Sequence, residues 1–200
     1  MNYIIKNSKM NTTILLDAGH GGCIAGHYST AGKRSPIWED GSILYEGEFN
    51  RQIKYRLKEM FQAEGYPYVD INPQDTDLDL YDRVDVANCY DNSIFISIHA
   101  NAGGGTGCEV FTAVNCSKAS TKIAESLQKE YQPHFNGERW RGIKKKDFYV
   151  IQKTKMPAVL IECFFMDTER ECKKYLMTST GRDRIALWIF TAIKNYLASL

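Results

Sequence analysis

Three apolar segments of the chain each lead to a histidine or a glutamate, residues whose side chains occur in active sites. The three segments occupy positions 12–17, 93–98 and 157–161, and the residues they lead into are His20, His99 and Glu162. Short apolar runs of this kind are typical of buried β-strands. Because ligands of a parallel α/β sheet bind in the crevice at the carboxyl ends of the strands, we expect these three residues to share one site.

Helical periodicity separates the predicted strands. Phe49, Ile53, Leu57 and Phe61 recur every four residues, which is the period of one helix face, and a glycine and a proline follow them. The other predicted elements are a short strand at 68–71, a helix over 77–90, a strand at 108–114, a helix containing 123–131, a short strand at 148–151 and helical structure beyond residue 162. The alternation predicts an α/β fold: a single domain with a mostly parallel twisted sheet of about six strands, flanked by helices on both faces.

The length and the net charge of the chain bear on how many domains it forms and on whether it binds nucleic acid or membranes. A chain of 200 residues is typical of one domain, and a net charge of +1 gives no general attraction to nucleic acid or to an anionic membrane. The one dense basic stretch, 139–146, is interpreted as a solvated face. No segment approaches the roughly 20 consecutive apolar residues of a membrane span, so no membrane insertion is expected.

The cysteines and the N-terminus indicate where the chain is made. Six cysteines occur without a Cys-x-x-Cys pair, which favours reduced thiols used as small hydrophobes and synthesis in the cytoplasm. Residues 1–10 lack the continuous apolar core of a signal peptide. Residues 1–11 are predicted to be an N-terminal extension, and 12–200 the functional domain.

The two histidines suggest a metal site. Three glycines surround His20, and His99 directly follows a strand; either residue alone is more typical of a turn or of a structural core histidine. Their similar positions favour a shared site. Zinc hydrolases usually use three protein ligands and leave a fourth position for water, so a carboxylate partner is expected. Glu46 and Glu48 both qualify, although acidic residues in a first helical turn are also ordinary partners of the helix dipole.

Glu162 is the other unusual carboxylate. It stands between two apolar triplets, 159–161 and 163–165. A charge in such a segment must be paired or functional, and we favour a functional role.

Four blocks of the chain resemble the signature of one enzyme family. These are Leu-Asp-Ala-Gly-His-Gly-Gly around His20, the segment from Glu46 to Asn50, Ser-Ile-His-Ala-Asn-Ala around His99, and Pro-Ala-Val-Leu-Ile-Glu ending at Glu162. In this order they resemble the zinc-dependent N-acetylmuramoyl-L-alanine amidases of the amidase-3 type, found in bacterial cell-wall enzymes and phage endolysins. The similarity extends from about Thr12 to Leu197.

The resemblance implies a site and a reaction. His20, Glu46 and His99 would be the ligands of one zinc ion, with Glu46 favoured over Glu48 because it keeps the family's distance to Asn50. Glu162 would be the general acid/base. The implied reaction is hydrolysis, by a zinc-bound water, of the amide between the lactyl group of N-acetylmuramic acid and the L-alanine of the peptidoglycan stem peptide.

The sequence also leads to expectations about substrate contacts and localisation. Asn101 and Arg83 are predicted to bind the substrate, and peptidoglycan is the expected partner, without nucleic acid. A protein with no visible signal peptide that acts on the cell wall fits holin-type release from the cytoplasm.

Three alternatives remain open on the sequence. A zinc exopeptidase or a deacylase of another amide could use the same architecture, since fold and metal do not fix the substrate. A non-catalytic peptidoglycan-binding module is a second alternative, and a nucleic-acid-binding protein that uses 139–146 is a third.

Overall fold

A computed structural model describes residues 11–200, so the predicted N-terminal extension lies almost wholly outside the described residues. The strands are β1 (Thr13–Ala18), β2 (Cys23–Ile24), β3 (His27–Tyr28), β4 (Tyr68–Asp70), β5 (Ser93–Asn101), β6 (Cys108–Thr112), β7 (Trp140–Lys145) and β8 (Ala158–Phe165). The helices are α1 (Glu46–Ala63), α2 (Leu80–Ala87), α3 (Lys118–His134), α4 (Tyr149–Lys153), α5 (Glu169–Glu171) and α6 (Ser179–Ala198), with a π-helical turn at Cys172–Leu176.

The main sheet has six strands in the order β4-β1-β5-β8-β6-β7. Every neighbouring pair is parallel except β6 with β8, which is antiparallel. The cause is the connection from β5 to β6, residues 102–107, which is too short for the crossover that a parallel arrangement requires. As a result β6 and β7 run opposite to the other four strands. The prediction of a mostly parallel sheet of about six strands is confirmed.

Helices cover both faces of the sheet, as predicted. The helices α1, α3 and α6 pack on one face, where Phe49, Ile53, Leu57 and Phe61 of the predicted helical stripe are all fully buried. The helices α2 and α4 pack on the other face. None of the helices found within residues 11–200 combines the length and the apolar character needed to cross a bilayer.

One segment differs from the prediction. The prediction of a short strand at 148–151 is wrong, because these residues form the start of α4. The helix places Val150 and Ile151 against the sheet. A four-residue apolar run fits a strand and a buried helical turn equally well, so periodicity could not separate them. The neighbouring strand lies instead in the basic stretch, where Trp140–Lys145 forms the edge strand β7.

The long loop after β1 is more ordered than predicted. It contains a small hairpin of β2 and β3, and Trp38 packs against the main core. Asp40 of the same loop pairs with Lys173 at 2.9 Å. The six cysteines are all free thiols, and Cys108, Cys163 and Cys172 are buried in the manner of small hydrophobes.

Candidate metal centre

His20, Glu46 and His99 converge at the carboxyl end of β1 and β5. Nε2 of His20 lies 3.3 Å from Oε2 of Glu46, and Nδ1 of His99 lies 3.1 Å from Oε1 of the same carboxylate. One ligand atom from each of the three residues lies within 4.8 Å of the other two. Three residues that are distant in sequence therefore form a compact group that can hold a metal ion.

The backbone at His20 is held in an unusual conformation. Its φ of 64° lies in the left-handed region, which is uncommon for a residue with a side chain. Arg51 and Arg83 both donate to the His20 carbonyl, at 2.9 and 3.2 Å, and they fix this turn. The turn brings the imidazole back toward Glu46 immediately after β1 ends.

Gly19 packs directly against the ring of His99. A Cβ built at position 19 would overlap Cε1, Nε2 and Nδ1 of that ring. The Asn50 side chain donates to the Gly19 carbonyl at 2.9 Å, so the backbone there is also fixed. Close approach of the glycine therefore sets the position of the imidazole.

We expect Gly19→Ala to displace the His99 ring and weaken metal binding by about 10- to 100-fold, the range for loss of an outer-shell contact. The matched control is Gly26→Ala, whose Cβ meets nothing within 4 Å although its positive φ adds local strain. Competition with a chromogenic chelator measures both affinities. Unchanged affinity in Gly19→Ala would contradict the positioning role.

Glu46 reaches the site because it is the first residue of α1. Its neighbour Gly47 allows close packing, since a Cβ there would overlap the Gly21 carbonyl. Burial acts to raise the pKa of the Glu46 carboxyl, but hydrogen bonds from His20 and His99 outweigh it and the pKa lies well below its ordinary value. Glu48 points elsewhere and accepts a hydrogen bond from the Cys23 amide. Of the two candidate carboxylates, only Glu46 faces the histidines.

Glu162 lies beside the metal-binding group but outside it. It is the direct neighbour of His99 in the register of β5 and β8. Its Oε2 is buried and has no hydrogen-bond partner among residues 11–200. Burial raises the pKa of the Glu162 carboxyl to about 7; the charge of His99 opposes this rise, and the Glu46 and Glu109 carboxylates add to it. A carboxyl with such a pKa can both take up and release a proton near neutral pH.

The two predicted substrate-binding residues occupy different settings. Asn101 lines the same cavity as Glu162, and its side-chain amide donates to Glu109 at 2.7 Å. Arg83 is only 2% exposed, and it pairs with Asp17 at 2.5 Å in addition to its bond to His20. Its guanidinium supports the turn after β1. Direct contact of either side chain with substrate stays a prediction.

The donor set fits zinc. Zinc in proteins is bound by imidazole nitrogens and carboxylate oxygens, and hydrolytic sites use three such ligands. The group described above offers two imidazoles and one carboxylate, with the carboxylate between the rings. Because Glu162 is not part of this group, its carboxyl is available for another role.

Three polar residues near the site carried no assigned role in the sequence analysis. Glu109 at the start of β6 is buried, and it contacts Arg141 and Lys144 of β7. Glu109 interrupts the apolar residues of β6 much as Glu162 interrupts β8, so the same signal was present. Glu109 and Arg141 lie in segments, 107–110 and 141–143, that also resemble the family, but the stretch containing Arg141 and Lys144 was interpreted as a solvated face.

An α/β sheet that places two histidines, a carboxylate and a separate, partly buried carboxyl at one edge defines a class, that of metal-dependent hydrolase domains. Comparison with known proteins makes this specific. The family model for N-acetylmuramoyl-L-alanine amidase, type amidase-3, matches residues 14–195. The chain therefore belongs to the amidase-3 family, which confirms the resemblance in the four sequence blocks.

Individual relatives agree with this assignment. The chain is 31% identical over 196 residues to the N-acetylmuramoyl-L-alanine amidase LytC of Bacillus subtilis, an alignment that covers 96% of this chain and 37% of that protein. It is 30% identical over 171 residues to the endolysin of Bacillus phage SPP1, covering 81% of this chain and 58% of the endolysin. The chain spans little more than a third of the length of the first curated relatives, at 37% and 35%.

Solved structures share the fold over almost the whole chain. The CwlD amidase from Clostridioides difficile, solved in complex with the GerS lipoprotein, superimposes with a TM-score of 0.81 at 27% identity, covering 95% of this chain and all of that chain. The catalytic domain of CwlV, an N-acetylmuramoyl-L-alanine amidase from Bacillus (Paenibacillus) polymyxa, gives a TM-score of 0.77 at 29% identity, covering 94% and 98%.

Proposed function

We propose that residues 12–200 form a zinc-dependent N-acetylmuramoyl-L-alanine amidase domain. It hydrolyses the amide between the lactyl group of N-acetylmuramic acid and the L-alanine of the stem peptide. The observation that carries the proposal is the convergence of His20, Glu46 and His99 beside the separate carboxyl of Glu162. Membership of the amidase-3 family supports the choice of substrate.

In this proposal His20, Glu46 and His99 hold one zinc ion. When bound, zinc lowers the pKa of a coordinated water to about 7 and polarises the carbonyl that is attacked. Each oxygen of the Glu46 carboxylate faces a different imidazole, so the three donors already lie together where the ion would bind. The bonds of Arg83 and Arg51 to the His20 carbonyl keep the turn rigid.

Glu162 acts as the general base and then as the general acid. Its carboxylate takes a proton from the attacking water as the water oxygen bonds to the lactyl carbonyl carbon. The carboxyl then delivers that proton to the departing nitrogen of L-alanine as the C–N bond breaks. Burial supports both steps, since it raises the pKa of Glu162 to about 7. Asn101 lines the cavity beside this group and is proposed to contact the substrate.

The experiment is product analysis after digestion of purified peptidoglycan. We expect intact stem peptides with new L-alanine amino termini and no new reducing sugar ends. Chelation of the metal should abolish release, and added zinc should restore it. Reducing ends, or single amino acids released from a peptide terminus, would contradict the proposal, the second result favouring an exopeptidase. Binding to the wall without any product would indicate a non-catalytic module.

The proposed substrate sets the place of action. Peptidoglycan lies outside the cytoplasmic membrane, so we propose that the protein acts at the cell wall. Holin-type release stays a prediction.

A further inference from the structure

A row of polar side chains crosses the sheet from the metal centre to its edge. His99 of β5 is the register partner of Glu162 of β8, and Glu162 is in turn the register partner of Glu109 of β6. Register partners point to the same face of a sheet, so the three side chains lie side by side. The row exists because β6 runs opposite to β8 and its first residues reach the edge that carries the site.

The far end of the row is a cluster of cations around one buried carboxylate. Glu109 is only 4% exposed. It accepts hydrogen bonds from Asn101 and Arg141, each at 2.7 Å, and it forms an ion pair with Lys144. The Arg141 guanidinium also lies over the Phe165 ring, 4.9 Å from its centroid. The bonds and the ring contact hold both cations against Glu109, the register partner of the proposed catalytic carboxyl.

The cluster of Glu109, Arg141 and Lys144 carries a net positive charge. Arg141 and Lys144 share the single carboxylate of Glu109, which leaves one positive charge unbalanced. The Lys144 side chain is 40% exposed, and an ammonium has three donors, of which the pair with Glu109 uses one. Lys33 adds a further exposed cation to the cavity that contains Glu162. The carboxylates on this side are Glu109, the candidate metal ligand Glu46 and the proposed catalytic Glu162, so Lys33 and Lys144 are the charged groups here that are left to meet a substrate carboxylate.

The opposite side of the metal centre has the opposite charge. A cavity of about 440 Å³ shares His20 and His99 with the metal centre and extends toward α2. Its charged lining residues are three carboxylates and one guanidinium, namely Asp17, Asp77, Asp79 and Arg83. An exposed tyrosine, Tyr81, lies near this lining with its ring centroid 4.8 Å from that of Tyr149. An anionic ligand is disfavoured here, whereas an uncharged sugar is not.

We propose that the substrate crosses the metal centre in one direction, with the uncharged glycan on the α2 side and the acidic stem peptide on the β6–β7 side. Lys144, supported by Arg141, recognises a free carboxylate of the peptide near its second residue. This inference rests on the proposed function and adds a specificity to it. The favoured substrates carry a free α-carboxylate on the second stem residue, and those with a carboxamide there are disfavoured.

The test compares Lys144→Gln with Lys145→Gln on two synthetic muramyl peptides. The peptides differ only in a carboxylate or a carboxamide at the α-position of the second residue. Lys145 is the matched control because it is the next residue of β7, and its ammonium bonds to the Val114 carbonyl away from the site. We expect Lys144→Gln to raise KM for the acid substrate by about five- to tenfold, with kcat little changed, as for a partly exposed charged contact. For the carboxamide substrate, this variant and the wild type should show the same KM and kcat.

The outcomes separate this inference from the function on which it rests. An active wild-type protein that cleaves both peptides equally well would overturn the carboxylate specificity and leave the amidase assignment intact. If Lys144→Gln lowers kcat/KM equally on both peptides, Lys144 has a structural role only. The same conclusion follows if Lys145→Gln lowers kcat/KM on the acid peptide as much as Lys144→Gln does. A wild-type protein that cleaves neither peptide would remove the proposed function, and this inference with it.

Discussion

Glu162→Gln is expected to lower the rate of peptidoglycan hydrolysis by about 10²- to 10⁴-fold, the usual contribution of general acid–base catalysis. Glutamine keeps the size of the side chain but can neither take up nor deliver the proton. Because Glu162 lies outside the metal-binding group, the variant should retain its bound metal. Loss of turnover with retained metal is the signature that separates a proton-transfer role from a ligand role.

The measurement pairs release of stem peptides with elemental analysis of the same protein sample. Glu59→Gln is a suitable control, since Glu59 is an exposed carboxylate on α1 away from the site. Wild-type turnover in Glu162→Gln would remove the catalytic assignment. Loss of metal together with activity would instead assign Glu162 to the ligand set.

His99→Ala is expected to lose both the metal and the activity. The substitution leaves one imidazole and one carboxylate, so the three-ligand set of a hydrolytic zinc site is broken. The loss of metal affinity should exceed the roughly 10- to 100-fold effect of removing an outer-shell partner. Elemental analysis should therefore find much less than one metal ion per chain.

Thermal unfolding provides a second readout for His99→Ala. A ligand that binds only the folded state raises the unfolding temperature, so a chelator should lower that temperature for the wild-type protein and have little effect on the variant. His27→Ala is the matched control, because His27 is an exposed histidine on β3 outside the metal-binding group. A His99→Ala protein that binds zinc as tightly as the wild type does would refute the ligand assignment.

Much of the fold and of the site followed from where apolar runs end. The apolar segments that lead to His20, His99 and Glu162 belong to β1, β5 and β8, which are adjacent in the sheet; β5 and β8 continue for a few residues beyond His99 and Glu162. Parallel neighbours bring their carboxyl ends together, which is why residues about 80 positions apart in sequence could be expected to meet. Glu46 was harder to predict, since spacing alone left Glu48 as an equal candidate.

The sequence did not predict the contacts among Glu109, Arg141 and Lys144, because these contacts depend on the direction of the strands. The residues of β6 do not themselves show its direction, which the short connection 102–107 sets, and this reversal is what brings Glu109 beside Glu162. Arg141 and Lys144 belong to an edge strand whose charges resemble those of a solvent-facing surface. Their contacts with Glu109 depend on pairing between strands that are distant in sequence, which periodicity does not encode.

The position of β7 at the border of the sheet separates substrate recognition from hydrolysis in the proposed enzyme. The strands that supply the two histidines and Glu162 occupy the middle of the sheet, whereas β7 lies at its border and contributes no metal donor. Under the proposed orientation of the substrate, substitutions in β7 would change which stem peptides bind, while the metal donors and Glu162 keep their places. In this proposal, the preference for one stem peptide over another can therefore change through substitutions at the border of the sheet alone.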